Sequence, residues 1–266
     1  LNSCFASVEQ QANHLLRNKP IAIAAYNSPR GCIIAPSIEA KTYGIKVGMQ
    51  VQQAKLLYPK LIILEPDPYK YRDVHIKLKN LLLKYTNDVV PKSIDEFVLN
   101  LQGYPAEKIG LVQTAINIKR DIKSNVGDWL RVSIGIGPNR FLAKTAAGLN
   151  KPNGLDVIDI SNYKKIYKQL QLTDLNGIAN NNASRLNKNQ IHSVIDFYNA
   201  TPQKLKQTFQ SINGYYWYLR LRGWEIDDVE FDRKSFGNSF ALPKHTNNLQ
   251  QLTPFLYKLV DKATFR

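Results

Sequence analysis

Apolar residues in the N-terminal part of this chain come alternately in short branched runs and in longer stretches of helical period, which predicts strands mixed with helices. Residues 1–9 read as the end of a strand running into a helix. Val8, Leu15 and Leu16 recur at helical spacing among Gln10, Gln11, Asn13 and Arg17, so the helix is expected to reach Asn18 before Pro20 ends it. Two runs rich in branched residues, 21–26 and 31–35, flank Asn27-Ser28-Pro29-Arg30, the chemistry of a hairpin turn. Ser37 can cap a short helix that Gly44 closes, and a second helix is predicted over 51–58. From Leu61 the pattern predicts a strand, a long helix between Asp67 and Tyr85, and strands over 89–93 and 96–101. A second long helix over 106–125, a strand over 131–136 and a helix over 138–149 follow. Lys151-Pro152-Asn153-Gly154 is a turn.

This order predicts the α+β class: a ferredoxin-like sheet with one open face, interrupted early by an inserted excursion. Beyond residue 160 the chain turns helical, over 162–171, 183–186, 193–198, 202–209 and 215–222. The charged stretch 225–234 reads as a linker. A strand over 235–242 and a helix from about Asn247 look like the opening of another domain, which Arg266 cuts off. The chain starts at Leu1 and its one methionine is Met49, so a fragment of a longer protein is expected.

Composition narrows the function classes. The 266 residues are 44% hydrophobic and carry a net charge of +15, which excludes a disordered tail and asks for a polyanionic partner. The longest apolar runs, such as 61–64, are far too short to span a bilayer, so nucleic acid is favoured over membrane. Cys4 and Cys32 form no C-x-x-C and imply neither a disulfide framework nor a zinc knuckle; reduced thiols in a cytosol are expected. His14, His75, His192 and His245 form no local metal signature.

Against that positive background, Ser93-Ile94-Asp95-Glu96 stands out. An Asp-Glu pair in a loop is ordinarily a solvated acidic patch. Here it sits between two apolar strands of a basic protein, and two hard carboxylates at a strand end suit Mg²⁺ and a phosphate substrate.

Leu1-Asn2-Ser3-Cys4-Phe5-Ala6-Ser7-Val8-Glu9, Ser93-Ile94-Asp95-Glu96 and Lys151-Pro152-Asn153-Gly154, in that order and spacing, resemble the Y-family translesion DNA polymerases over essentially the whole chain. The resemblance implies a right-hand polymerase. Its palm would be 1–8 and 67–158, its small fingers 9–66, its thumb with a helix-hairpin-helix 159–224, its linker 225–234 and a partial little finger 235–266. It implies two Mg²⁺ ions held by Asp95, Glu96, the backbone carbonyl of Leu1 and an Asp immediately before Leu1. Phe5 matches the family's aromatic steric gate, with a core phenylalanine as the alternative, and Cys4 falls beside it in the nucleotide site. Lys151 matches a triphosphate-contacting lysine. Ile38 and Lys41 stand where many members have Tyr and Arg; Lys41 keeps the charge but lacks the bidentate fork, and Ile38 offers no hydroxyl.

Gly177-Ile178-Ala179-Asn180-Asn181-Asn182-Ala183-Ser184-Arg185-Leu186 resembles the family's DNA-gripping hairpin, with Ala179 in place of the usual second glycine. Arg185, Arg220, Arg222 and Lys234 join it as candidate DNA contacts. Gln251-Leu252-Thr253-Pro254-Phe255 has the look of a sliding-clamp peptide, set against its position in a predicted helix whose apolar face needs burial. The implied activity is template-directed, error-prone DNA synthesis past damage, in a cytoplasmic monomer of the SOS response acting on primer-template DNA and deoxynucleoside triphosphates. No stretch is left for a proofreading exonuclease. A DNA-binding scaffold without catalysis, and a metal-dependent nucleotidyl cyclase on the same palm topology, are the rival readings.

Overall fold

The computed structural model describes residues 1–229, 235, 237–240, 242 and 245–265. The chain divides into two compact units, Leu1–Asp228 and Val229–Arg266.

The first unit opens with helix α1 (Cys4–Ala12). It is shorter than its hydrophobic spacing predicts, because the Asn13 side chain accepts from the Leu15 N–H and starts a separate 3-10 turn over His14–Leu16. Strands β1 (Ile21–Ala24) and β2 (Ile33–Pro36) form the expected antiparallel hairpin, and β3 (Ile62–Leu64) adds parallel to β1. Between β2 and β3 lie α2 (Ile38–Thr42), capped by the Ser37 hydroxyl, and α3 (Val51–Leu57). Ala22, Ile33, Ala40, Ile45 and Ala54 bury together as the core of this inserted element.

Helix α4 (Pro68–Leu82) starts where Asp67 accepts from two backbone N–H groups and Pro68 takes the first helical position. Strands β4 (Val89–Ser93) and β5 (Glu96–Leu99) pair antiparallel. The long helix predicted over 106–125 is two helices, α5 (Pro105–Ile109) and α6 (Leu111–Asn125). Gly110 breaks it at φ 97, a backbone conformation that a helix cannot continue through. Strand β6 (Ile134–Ile136), helix α7 (Arg140–Leu149) and strand β7 (Leu155–Val157) complete this part; β7 pairs parallel with β6 and had no counterpart in the sequence pattern. The expected four-stranded sheet is thus seen as two ladders, β4–β5 and β6–β7. Residues 1 and 2 are tied to both sides, the Leu1 nitrogen to the Asp95 carbonyl at 2.6 Å and the Asn2 N–H to the Arg131 carbonyl at 2.9 Å. Val8, Tyr71, Leu78, Val89, Ile118 and Ile122 fill the core beneath them.

Five helices follow: α8 (Tyr163–Gln169), α9 (Asn180–Lys188), α10 (Val194–Asn199), α11 (Pro202–Phe209) and α12 (Asn213–Arg220). Their core, with Tyr167, Phe197, Leu205 and Trp217 at its centre, also takes Phe141, Leu142 and Ala146 of α7. Helix α7 therefore serves two layers. Its other side lies so close to β6 that a Cβ on Gly135 would stand 2.0 Å from the Ala143 carbonyl oxygen. The start of the predicted linker is not free: Glu225 pairs with Arg140 at 3.5 Å and Asp227 with Arg220, which holds this stretch on the first unit.

In the second unit, helix α13 (Leu249–Thr264) is capped by the Asn248 side chain. The described residues of 235–242 carry no strand. The clamp-like segment is helical rather than extended, and its Phe255 ring stacks on Phe240 at 5.0 Å. No residue of α13 is buried, contrary to the expectation for its apolar face.

Candidate active site

The turn between β4 and β5 carries the acidic pair. A register shift between Pro91 and Ser93 lets Ser93 pair with Glu96, which leaves Ile94 and Asp95 at the tip. The Ser93 hydroxyl donates to Asp95 Oδ1 at 2.7 Å and orients that carboxylate. Glu96 is ion-paired with Lys144, which reaches across from α7. From α4, His75 hydrogen-bonds the Ile94 carbonyl through Nδ1 at 3.0 Å and stacks on Phe97 with 4.8 Å between ring centres. Leu1, Asp95, Glu96, Arg140, Lys144 and Lys151 share one cleft of about 540 Å³.

Two carboxylates on one turn, beside the Leu1 backbone, are hard oxygen donors of the kind Mg²⁺ takes. Among the described residues no three His, Cys, Asp or Glu side chains cluster closely enough to hold an ion by themselves. Asp95 and Glu96 fit as part of a magnesium site that needs a further donor.

Phe5 projects from the first turn of α1, half-buried, with its ring stacked on Tyr71 at 4.3 Å and 14°. The Tyr71 hydroxyl donates to Glu9 Oε1 at 3.1 Å, and Lys70 pairs with Glu9 Oε2 at 2.9 Å, so the ring beneath Phe5 is itself held. Phe5 is neither a free surface ring nor a fully enclosed core residue. Cys4 is buried, with its side chain withdrawn into the core, and burial pushes its thiol pKa up to about 12. Ile38 is the half-buried first residue of α2. Lys41, on the same helix, has its pKa lowered by burial and then by repulsion from Lys151, which places the two lysines near one another.

A second groove of about 450 Å³ runs from Lys144 and Lys151 to Gly177, Ile178 and Ala179. Gly177 has φ 95 with the Trp217 ring beneath it, and Ala179 is the exposed residue preceding α9, with no side-chain cap. Arg185 is exposed and reaches the Phe209 carbonyl at 3.5 Å. Two of the predicted DNA contacts are turned inward. Arg220 forms a two-pronged pair with Asp227, through Nε to Oδ2 at 2.8 Å and Nη2 to Oδ1 at 2.5 Å. Arg222 lies 3.6 Å over the Tyr218 ring and donates to the Tyr218 and Tyr198 carbonyls. Both guanidiniums are engaged by groups of the protein itself, contacts that the sequence pattern did not indicate. Lys234 lies outside the described residues.

Comparison with known proteins decides the family. Residues 1–148 match the model of the impB/mucB/samB family. This chain belongs to that family, the Y-family DNA polymerases. The DNA polymerase IV of Oceanobacillus iheyensis is 33% identical over 271 residues, which cover 100% of this chain and 64% of that polymerase. The Y-family polymerase chimera Dbh-Dpo4(243-245)-Dbh superimposes with a TM-score of 0.87 at 26% identity, over 100% of this chain and 78% of the chimera. An insertion ternary complex of Dbh DNA polymerase gives a TM-score of 0.78 at 26% identity, over 99% of this chain and 77% of that one. The class is DNA-directed DNA polymerase, and the fold is the α+β right hand of the Y family. Among the described residues no helix is long and apolar enough to cross a membrane.

Sequence reasoning missed Lys144, His75 and Tyr71. Lys144 follows Arg140 by four residues on α7, a spacing that puts both on one side of the helix, where they line the same cleft though they pair with different carboxylates, Glu225 and Glu96. His75 and Tyr71 also lie four apart, on α4, but nothing local says that this face meets the acidic turn and α1.

Proposed function

We propose that this chain carries out template-directed, error-prone DNA synthesis past damaged bases, joining the 3′-hydroxyl of a primer to the α-phosphorus of a deoxynucleoside triphosphate and releasing pyrophosphate. The observation that carries the reading is the shared cleft: the acidic turn, Lys144 and Lys151 line one space in a chain of this family. Residues 1–8 and 67–158 act as palm, 9–66 as fingers, 159–224 as thumb, 225–234 as linker and 235–266 as little finger. Asp95 and Glu96, with the Leu1 carbonyl and a carboxylate carried by the residue before Leu1, hold two Mg²⁺ ions. When bound, such ions activate the attacking hydroxyl and steady the leaving group.

Lys151 and Lys41 bind the β- and γ-phosphates as point charges, without the fork of an arginine. Lys144 neutralises Glu96 and remains beside the reacting phosphates as a further cation. The Phe5 ring lies under the sugar and excludes a 2′-hydroxyl. Gly177 and Ala179 bring backbone N–H groups to the primer phosphates. Leu1 itself lies beside the acidic turn and lines the same cleft as Asp95 and Glu96.

Primer extension by a polypeptide carrying an aspartate immediately ahead of Leu1 tests this reading. Asp95→Ala is expected to lower the rate on the order of 10²–10³-fold or more, since phosphoryl transfer depends on fixed electrostatics. Activity within about tenfold of the parent removes Asp95 from the machinery. A parent that binds primer-template DNA and never extends it returns the case to the scaffold.

A further inference from the structure

Lys151 is exposed, so its own side-chain packing does not aim it; the direction comes from the backbone of the turn that follows. That turn is clamped from two sides. On one side the Asn153 N–H donates to Asn2 Oδ1 at 2.9 Å, and the same oxygen accepts from the Ser133 hydroxyl at 3.1 Å. Ser133 Oγ in turn accepts from the Gly154 N–H at 3.2 Å. On the other side Lys119, from α6, donates through Nζ to the Asn153 carbonyl at 2.5 Å and the Gly154 carbonyl at 3.2 Å.

Neither clamp is a surface accident. Asn2 is 7% exposed; its N–H goes to the Arg131 carbonyl and its own carbonyl accepts from the Ser7 hydroxyl at 2.8 Å. It adjoins Leu1, whose nitrogen meets the Asp95 carbonyl. One buried amide therefore ties the acidic turn's neighbour to the turn of the phosphate-binding lysine. Lys119 is half-buried, and burial lowers its pKa. It makes no ion pair among the described residues and is satisfied by two carbonyls. A lysine that bears desolvation in order to hold carbonyls is holding the backbone they belong to.

We propose that Asn2 and Lys119 are positioning residues for Lys151, holding its turn so that the ammonium faces the β- and γ-phosphates of the incoming nucleotide. The inference rests on the reading of Lys151 as a phosphate ligand. Its effect should fall on triphosphate affinity and depend on Lys151 being present.

The test titrates dATP with Mg²⁺, and dAMP as a control lacking the β- and γ-phosphates, into this chain bound to primer-template DNA. The variants are Lys151→Met, Lys119→Met, Lys119→Arg and the Lys119→Met/Lys151→Met double. Lys119→Met is expected to weaken dATP binding about tenfold, to leave dAMP and DNA affinity unchanged, and to be rescued by Lys119→Arg. In the Lys151→Met background the same change should add less than about twofold, the non-additivity of two residues acting through one contact. Ser133→Ala, which removes one bridging hydroxyl with little packing volume, should weaken dATP about threefold and serves if Lys119→Met lowers the melting temperature too far. If Lys151→Met itself leaves dATP affinity unchanged, the phosphate reading of Lys151 has failed. If Lys151→Met weakens dATP but Lys119→Met and Ser133→Ala do not, that reading stands and the positioning role is overturned. A full tenfold effect of Lys119→Met without Lys151 also overturns it.

Discussion

Truncating Phe5 separates two roles that its position combines. The ring stacks on Tyr71 at 4.3 Å and touches both the core under the ladders and the small core of α1 against β1. Complete burial of a phenylalanine makes its loss to alanine worth about 3–5 kcal/mol. Phe5 is only half-buried, so Phe5→Ala should cost about 2 kcal/mol, with roughly 1 of that from the lost stack. For a unit of this size that lowers the melting temperature by roughly 4–8 °C. The gate has a different signature. Forcing a 2′-hydroxyl against a rigid ring is an overpacking of about 1–3 kcal/mol, or about 5- to 150-fold in preference for deoxynucleotides. Stability loss reduces incorporation of both nucleotides alike, so the ratio of their kcat/KM values is insulated from it. Single-nucleotide incorporation with dATP and ATP, beside a melting curve, reads both quantities at once. A ratio that collapses in Phe5→Ala supports the gate. An unchanged ratio with both rates depressed makes Phe5 a core residue and refutes the argument.

Three further outcomes are expected. Lys41 has a lowered pKa, so it loses its charge at a pH below the ordinary lysine value of 10.5; dATP affinity should begin to fall early on the alkaline side, and Lys41→Arg should move that fall to higher pH. The same depression means that stability rises with pH between the lowered value and 10.5, where the unfolded chain still binds the proton, a trend visible in melting curves over that window. Gly135→Ala would place a methyl 2.0 Å from the Ala143 oxygen and 2.2 Å from the Ala147 nitrogen, forcing α7 off β6; a loss of about 3 kcal/mol or more should appear in thermal melts, and dATP affinity should drop with it. DNA affinity measured from about 50 to 200 mM salt should fall with a log–log slope near 0.9 per phosphate neutralised on duplex, with little sequence preference; a flat response would contradict backbone binding.

The elements around the site were legible wherever period and cap agreed. Ser37, Asp67 and Ser193 each accept from a backbone N–H at the helix start that the pattern predicts. Failures came where one residue competes with the period. Asn13 and Gly110 cut helices whose apolar spacing runs on unbroken. Strand β7 is three residues long and exists through its pairing with β6, a non-local cause with no local trace. The acidic turn and the Lys151 turn could be found because their chemistry is written in contiguous residues. The contacts of Arg220 and Arg222 were not legible for the opposite reason: whether a guanidinium meets a neighbouring carboxylate or ring is decided by folding.

Helix α7 has a bearing on how this protein could be recombined. Its Phe141, Leu142 and Ala146 belong to the core of the five helices that follow, while its opposite side lies against β6 and its Lys144 reaches Glu96. A crossover placed at residue 159, between the two sets of elements, would graft foreign helices onto three native core side chains. The exchangeable segment in a chimera between relatives therefore begins before Arg140, and it carries Lys144 and Lys151 with it. Two of the cations lining the cleft would be inherited together with the helical domain rather than with the Asp95–Glu96 turn they face.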